Sequence, residues 1–180
     1  MYFRKIERNS ADIPKLESLN NQAFPDNERI EIDDMFIFPE ESGREVLGIY
    51  TDDKFSGFII TIKYGKCVCI CYFAVCPDKR SQGIGGQALK MLKEYYPECQ
   101  IVVDFEAPDE NADNNSQRIR RRNFYYRNGF FETGYFQFYM NTEFEIACSG
   151  SDFNKADFEE LISEIHKIAP DFNPKLYRKN

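Results

Sequence analysis

The spacing of hydrophobic residues along the chain predicts a succession of strands and helices. Apolar residues at every second position indicate strands, and apolar residues three or four positions apart indicate helices. Strands are predicted over residues 2–6, 44–50, 54–64, 66–76, 101–106, 130–140 and 143–149. Helices are predicted over residues 10–24, 83–96, 117–128 and part of the segment after Ser151, and Asp12 is the expected N-cap of the first helix. Residues 24–38 mix loop and short helix.

The strand at 66–76 organises the predicted sheet. Both of its faces are apolar, which is typical of a central strand covered by helices on both sides. Tight turns join the three strands between residues 44 and 76, so these strands should form an antiparallel meander. The helix at 83–96 leads to the strand at 101–106, and such a βαβ unit makes its two strands parallel. We therefore expect an α+β (three-layer) fold whose sheet is mixed and mostly antiparallel, with one central parallel strand pair and helices on both faces.

Length and charge limit the possible classes of protein. The chain has 180 residues, 42% of them hydrophobic, which suffices for one domain with its own core. A net charge of −7 argues against a nucleic-acid partner, because phosphates would be repelled over most of the surface. The longest apolar run, CVCICYFAVC, is too short to cross a bilayer, and the first residues lack the apolar region of a signal peptide. We expect a cytoplasmic protein with no membrane partner.

The six cysteines do not predict a metal site or a disulfide framework. Cys67, Cys69 and Cys71 alternate along one strand, which separates their side chains by about 6.6 Å. That spacing is too wide for the three to share a small ion easily. The chain has no CxxC pair, and His166 is its one histidine. We expect no bound metal and no disulfide.

A glycine-rich loop between the strand at 66–76 and the next helix permits two interpretations. Read as Gly83-x-Gly85-x-x-Ala88, it matches the dinucleotide-binding pattern. That fold has its first glycine at the tip of the strand, whereas six residues separate Cys76 from Gly83. Read from Arg80 as Arg-x-x-Gly-x-Gly, the loop can turn its N–H groups toward a diphosphate at the helix N-terminus.

A second motif decides between these interpretations. The strand end FAV at 73–75, the loop RSQGIGG at 80–86, the strand IVVDFE and the element NFYYRNGF at 123–130 follow one another along the chain. In this order they resemble the GCN5-related N-acetyltransferase (GNAT) superfamily, over roughly residues 44–140. The domain would span residues 1–150, and residues 151–180 would form a C-terminal helical extension packed on it. Ser81 replaces a glycine that is frequent in the family, and Arg118 stands where many members have asparagine.

The resemblance implies acetyl-coenzyme A as the cofactor and direct attack of an amine on its thioester. The implied cofactor-binding residues are Phe73, Ala74, Val75, Arg80, Ser81, Gln82, Gly83, Ile84, Gly85 and Gly86. Tyr125 is the implied general acid for the departing thiolate. A phenol titrates near 10 and a thiol near 8.5, so a phenol within reach can still donate a proton.

The general base is less constrained by the sequence. Glu106 ends its strand, and alternation places Asp104 on the same face. Glu106 is the first choice as catalytic base, and Asp104 is the second choice and otherwise a substrate-binding residue. Phe24 and Glu28 lie in the loop that lines the acceptor pocket in the family, and they are candidate substrate-binding residues.

A run of arginines, Arg118 and Arg120 to Arg122, stands out in an acidic chain. Consecutive residues on a helix cannot all face one ligand. Most of these side chains are expected to be solvated or paired with the nearby Asp109, Glu110 and Asp113, and one or two are candidates to reach the phosphates of coenzyme A.

The predicted function is acetyl-coenzyme A-dependent transfer of an acetyl group to a primary amine. The acceptor could be a small molecule or a peptide, and because dimers are common in the family a homodimer is one possible assembly. The alternative function is a non-catalytic domain that binds or senses acyl-coenzyme A and does not need Tyr125. A nicotinamide enzyme would require further βαβ units after Asp104, which the sequence does not show.

Overall fold

The computed structural model describes residues 1–26, 28–36, 42–139 and 141–179, which contain eight strands and five α-helices. The strands are β1 (Tyr2–Lys5), β2 (Arg44–Thr51), β3 (Lys54–Tyr64), β4 (Cys67–Val75), β5 (Gln100–Glu106), β6 (Phe131–Tyr139), β7 (Thr142–Cys148) and β8 (Lys175–Arg178). The helices are α1 (Ile13–Ala23), α2 (Ile32–Met35), α3 (Ile84–Tyr95), α4 (Asn115–Arg127) and α5 (Lys155–Ile168). A short 3-10 helix, Pro77–Lys79, follows β4.

Every predicted strand and helix is present, with ends that shift by a few residues. The unclear region at 24–38 contains the short helix α2, and its residues 27, 37 and 38 lie outside the described part of the chain. Strand β8 lies in the polar tail, where no strand was predicted. None of the helices in the described ranges combines the length and the apolar character that a membrane span requires.

The chain divides into two compact units, of which the first comprises Met1–Lys63 and Ile70–Tyr95. Its strand order is β1-β2-β3-β4, with antiparallel pairing of β1 to β2 and of β2 to β3. Helix α1 places Leu16 and Leu19 in a core with side chains of β2 and β3, among them Tyr50 and Phe58. Helix α3 buries one face, formed by Ile84, Ala88, Leu89 and Leu92.

The second unit comprises Tyr64–Cys69 and Tyr96–Asn180, and the first residues of β4 belong to it. Its strand order is β4-β5-β7-β6-β8. The amide N–H of Gln100 donates to the carbonyl oxygen of Lys66 (2.9 Å) where β4 and β5 begin. Strands β5 and β7, β7 and β6, and β6 and β8 are antiparallel. Residues 151–180 contribute α5 and β8, and their separation from a domain at 1–150 stays a prediction.

The fold class predicted from the sequence is confirmed. The strands are mostly antiparallel, β4 and β5 form a parallel pair, and five helices accompany them. The parallel pair follows from the chain path, because a helix between two strands returns the chain to the end where the first strand began.

Three parts of the first unit meet at the carboxylate of Asp12, which is only 5% exposed. It accepts hydrogen bonds from Arg4 on β1, from the Tyr50 hydroxyl on β2 (2.6 Å) and from Lys15 on α1 (2.6 Å). The N-cap role predicted for this side chain is wrong. Asp12 occupies the N-cap position but makes no capping hydrogen bond, because both carboxylate oxygens are engaged elsewhere. The donors, chiefly Lys15 and then Tyr50, hold the pKa of Asp12 below its usual value.

We expect Asp12→Asn to lower the free energy of unfolding by about 1–3 kcal/mol at neutral pH, because an amide cannot accept the same charged hydrogen bonds. A lowered pKa means that the carboxylate contributes its full stability at neutral pH. The contribution is lost as the pH falls below the ordinary aspartate value of 3.8. Urea denaturation at several pH values should therefore show a gap between wild type and variant that narrows toward acid pH.

Asp53→Asn is the matched control for this experiment. Asp53 is exposed and accepts one hydrogen bond, from Tyr2 (3.1 Å), and asparagine tolerates its positive φ of 59°. Its stability should stay within about 0.5 kcal/mol of wild type. If the difference in free energy of unfolding between wild type and Asp12→Asn does not change with pH, the effect does not come from the charge of Asp12.

Candidate active site

The glycine-rich loop, residues 80–86, bends through two residues with positive φ before α3 begins. Ser81 has φ 63° and Gly83 has φ 81°. A Cβ at Gly83 would meet no atom within 4 Å, so the loop is open to solvent at this point. The N–H groups of Ile84, Gly85 and Gly86 lie in the first turn of α3, where helical N–H groups have no partner within the helix. The loop can therefore present several N–H donors, with the helix dipole behind them, to an anion.

Side chains within this region fix the loop to the end of β4. The Nε of Arg80 donates to the carbonyl oxygen of Val75 (3.1 Å), and the Gln82 side chain donates to the carbonyl oxygen of Asp78 (3.0 Å). Among the described residues, the terminal nitrogens of Arg80 have no hydrogen-bond partner, and the side chain is exposed. Arg80 is thus held by one nitrogen and keeps two for an anionic group.

The last residues of β4 lie close to β3. A Cβ at Gly57 would come within 2.4 Å of the Ala74 carbonyl oxygen, so this approach of the two strands requires glycine. Phe73 and Val75 are partly exposed, whereas Ala74 is buried. The sequence predicted that side chains on both faces of β4 are buried along the whole strand. In the structure, the side chains of its second half are less buried than those of its first half.

The two predicted acceptor residues, Phe24 and Glu28, are both linked to Tyr72 on β4. The Phe24 ring packs edge-on against the Tyr72 ring, with centroids 5.2 Å apart. The Tyr72 hydroxyl donates to the backbone carbonyl oxygen of Glu28 (3.2 Å), and the Glu28 side chain is exposed. On the other side of this loop, the side-chain amide of Asn20 donates to the carbonyl oxygen of Ile30 (2.8 Å). Tyr72 and Asn20 were not identified from the sequence.

In the second unit, Tyr125 is a buried aromatic side chain of α4. Its ring stacks on Phe105 of β5, with centroids 5.4 Å apart and an interplanar angle of 4°, and it meets Phe130 edge-on. Within the described residues, the Tyr125 hydroxyl makes no hydrogen bond. Burial raises the pKa of the phenol above its ordinary value of 10.0, while Arg121 opposes that rise and Asp104 adds to it. The side chain is therefore protonated at physiological pH and has a hydroxyl proton to donate.

Glu106 is held in ion pairs. Its carboxylate lies 2.7 Å from Arg118 and 3.4 Å from Arg121, and it also accepts from the side-chain amide of Asn114 (3.2 Å). Only 7% of Glu106 is exposed. Both oxygens are engaged, so binding of a proton at Glu106 would disturb these pairs.

Asp104 has a different environment, although it lies two residues away on the same strand. Its Oδ2 accepts hydrogen bonds from Gln137 (2.7 Å) and from the Tyr139 hydroxyl (3.1 Å), both on β6. Its Oδ1 accepts no side-chain hydrogen bond from the described residues. Burial raises the pKa of Asp104, and the hydrogen bonds from Gln137 and Tyr139, the backbone N–H of Asp104 itself and the charge of Arg121 offset part of the rise. Such a carboxylate can accept a proton more readily than an ordinary aspartate.

The arginines of α4 have partners other than those predicted. Arg118 and Arg121 pair with Glu106, and Arg122 pairs with the buried Glu145 of β7 (2.9 Å) and, at 3.6 Å, with Glu132. The predicted alternative to solvation, pairing with Asp109, Glu110 and Asp113, was wrong for these three arginines. It relied on closeness in sequence, whereas the side chains reach carboxylates on β5, β6 and β7.

Sequence reasoning also missed Gln137 and Tyr139. They lie two positions apart on β6 and therefore on one face of the strand. Two polar side chains at alternate strand positions are the sequence pattern that indicates them. Their contact with Asp104 depends on the register of β6 on β7 and of β7 on β5. That register is set by long-range pairing and is not evident from any local motif.

Over the described ranges, no group of three or more His, Cys, Asp and Glu side chains is arranged to hold a metal ion. The six cysteines are free, and Cys67, Cys69 and Cys148 are buried. Burial raises the pKa of Cys67 to about 12, so its thiol is a poor nucleophile.

Comparison with known proteins gives a consistent result. The model of the Acetyltransferase (GNAT) family matches residues 13–130. A protein from Bacteroides thetaiotaomicron assigned to that family is similar in structure, with 25% identity, a TM-score of 0.76, and coverage of 95% of this chain and 99% of that chain. No curated protein matches the chain.

Two more distant structures share the fold. The aminoglycoside 6'-N-acetyltransferase from Enterococcus faecium has 16% identity and a TM-score of 0.62, with 86% of this chain and 99% of that chain covered. A GNAT-family acetyltransferase from Elizabethkingia anophelis with acetyl-CoA bound has 14% identity and a TM-score of 0.56, with 83% and 97% covered.

The open conformation around Gly83 predicts a stability effect without a steric clash. Gly83→Ala should lower the free energy of unfolding by about 1 kcal/mol, because alanine is strained at positive φ. Gly65→Ala should lower the free energy of unfolding by about the same amount. Gly65 has φ 53° and equally open space in the turn between β3 and β4. Urea denaturation of both variants measures the two costs. A loss several times larger at Gly83 would show that the loop resists substitution for another reason.

Proposed function

Because this chain belongs to the GNAT family of acetyltransferases, we propose that it transfers the acetyl group of acetyl-coenzyme A to a primary amine. The observation that carries the proposal is the glycine-rich loop at the start of α3, with its positive-φ residues and unpartnered first-turn N–H groups. This is the arrangement that a diphosphate requires, and coenzyme A contains a diphosphate.

The residues present fit coenzyme A. We propose that the N–H groups of Gly83 to Gly86 and the terminal nitrogens of Arg80 hold the diphosphate. Ser81, Gln82 and Ile84 complete the loop, and Phe73, Ala74 and Val75 offer the end of β4 to the pantetheine. The bound cofactor supplies an activated thioester, and the chain's own groups orient it and move protons.

We propose Tyr125 as the general acid. Its hydroxyl has no competing partner among the described residues, and its raised pKa keeps it protonated. A weaker acid donates its proton less readily in water. A thiolate that forms in a desolvated site binds a proton more strongly than it does in water, which offsets this effect.

Of the two candidate bases, the contacts favour Asp104. Glu106 has both oxygens in ion pairs and amide contacts, whereas Oδ1 of Asp104 accepts no side-chain hydrogen bond from the described residues. We therefore propose that Asp104 takes the proton of the attacking amine and that Glu106 fixes α4, which carries Tyr125.

The acceptor is proposed to be a cationic small molecule or peptide. The segment around Phe24 and Glu28 carries five carboxylates, those of Asp26, Glu28, Glu31, Asp33 and Asp34, against Arg29 alone. Arg29 is itself paired with Asp26 (2.9 Å). An ammonium group would be attracted to such a segment, and the Phe24 and Tyr72 rings offer an apolar surface beside it. We propose a cytoplasmic setting, and a homodimer stays a possible assembly.

Calorimetric titration with acetyl-coenzyme A tests the proposal directly. Wild type should bind, and Gly83→Ala should bind about tenfold more weakly, because the loop must keep its backbone conformation to present its donors. Gly65→Ala should bind as wild type does, although it loses similar stability. No binding by wild type at hundreds of micromolar cofactor would overturn the proposal.

Tyr125→Phe should lower kcat by about 10²–10⁴-fold and leave the dissociation constant of acetyl-coenzyme A unchanged, because it removes one proton donor and keeps the ring. An amine-panel assay that detects released thiol provides the rate. Tyr64→Phe, at a tyrosine that is 43% exposed, is the control and should retain activity. Binding of coenzyme A without turnover on any amine would instead favour a non-catalytic acyl-coenzyme A-binding domain.

A further inference from the structure

We propose that Gln137 and Tyr139 are positioning residues for Asp104 and that the C-terminal segment holds Tyr139 in place through Phe172. The inference rests on the proposed transferase function, in which Asp104 is the base. It assigns a role in the reaction to β6 and to the segment after α5, neither of which contains a residue of the sequence motifs.

Gln137 and Tyr139 donate hydrogen bonds to the same carboxylate oxygen of Asp104. Gln137 is only 2% exposed, and its Nε2 donates to Oδ2 of Asp104 (2.7 Å). The Tyr139 hydroxyl donates to the same oxygen (3.1 Å). A buried glutamine in a strand needs a partner for its amide, and Asp104 is that partner. Because both donors approach Oδ2, the carboxylate has a defined rotation about its side-chain bonds and Oδ1 is left to accept a proton.

Uncharged hydrogen-bond donors such as Gln137 and Tyr139 suit a base that changes its charge during the reaction. In the proposed step, a nitrogen–hydrogen bond of the acceptor breaks, its electron pair stays on nitrogen, and the proton bonds to Oδ1. Neutral donors on Oδ2 stabilise the carboxylate without forming the ion pairs that restrict Glu106. The groups that act on Asp104 from neighbouring elements are Gln137 and Tyr139 of β6 and Arg121 and Tyr125 of α4. The opposing residue on β7 is the apolar Ile146.

Tyr139 is itself fixed by two aromatic rings. It stacks on Phe144 of β7, with centroids 4.2 Å apart, and meets Phe172 edge-on at 5.3 Å. Phe172 lies in the segment after α5, and its carbonyl oxygen accepts a hydrogen bond from Nδ1 of His166 (3.1 Å). A line of contacts thus runs from α5 through Phe172 and Tyr139 to the carboxylate. The C-terminal segment therefore supports the position of the proposed base.

Tyr139→Phe tests the inference while keeping both ring contacts. Loss of the hydroxyl donor should raise the pH at which Asp104 titrates, measured by carbon-13 NMR of its carboxyl group, because a donor to a carboxylate favours the charged form. The acid limb of kcat/KM should move to higher pH as well. At neutral pH kcat should fall roughly three- to tenfold, with KM for acetyl-coenzyme A unchanged.

Tyr135→Phe is the matched control, since it removes a hydroxyl from the same strand without touching Asp104. It should leave the NMR titration and the pH profile unchanged. Gln137→Met provides an independent variant with an apolar side chain of similar length, and it should shift the titration in the same direction as Tyr139→Phe. A folded Tyr139→Phe protein whose Asp104 titrates as in wild type would overturn the inference.

Phe172→Leu tests the contribution of the C-terminal segment. It leaves both donors in place but removes the edge-on ring, so it should lower kcat by a smaller factor than Tyr139→Phe and leave cofactor binding unchanged. Wild-type kcat in Phe172→Leu would overturn the role of the segment. Absence of turnover on every amine, with coenzyme A still bound, would overturn the transferase function. The NMR titration would in that case still decide whether Gln137 and Tyr139 control Asp104.

Discussion

The ion pairs of the buried Glu106 determine where helix α4 lies, and the position of Tyr125 depends on that helix. Tyr125 is the one buried residue of α4, so an apolar stripe cannot account for the attachment of this helix. Instead, Arg118 and Arg121 reach Glu106 at the end of β5, and Arg122 reaches Glu145 on β7. Buried ion pairs add little net stability but demand a particular geometry. They therefore select one placement of the helix, in which the Tyr125 ring lies flat on Phe105.

Strand β5 shows how two carboxylates two residues apart acquire different chemistry. Glu106 is paired with charged guanidinium groups, whereas Asp104 accepts hydrogen bonds from a neutral amide and a neutral phenol. The first arrangement holds a structure together, because losing the charge of Glu106 would remove the ion pairs that attach Arg118 and Arg121 of α4 to β5. The second tolerates a change of charge, because its donors remain acceptable neighbours for a protonated acid. Separate environments for paired acidic groups are a common way to divide structural and chemical roles.

Local sequence patterns predicted the elements and the glycine-rich loop, because hydrophobic periodicity and turn residues act over a few positions. Tyr125 was singled out by the family resemblance, whose motif NFYYRNGF runs from the end of α4 into the turn that follows. Local patterns did not find the partners of Asp104 or the contact between Tyr50 and Asp12. Gln137 lies 33 positions from Asp104, and Tyr50 lies 38 positions from Asp12, so both contacts depend on strand register and helix placement. Strand β8 was missed because four residues of mixed polarity carry no clear alternation.

Strand β8 also affects how copies of this chain can meet. Pairing with β8 from Tyr135 to Phe138 occupies backbone groups of β6 that would otherwise accept a foreign strand. The strand that now ends this side of the sheet is four residues long and carries Lys175 and Arg178, with Lys179 directly after it. Short, positively charged edges discourage strand addition. This edge of the sheet is therefore a poor template for the addition of a strand from another copy of the chain.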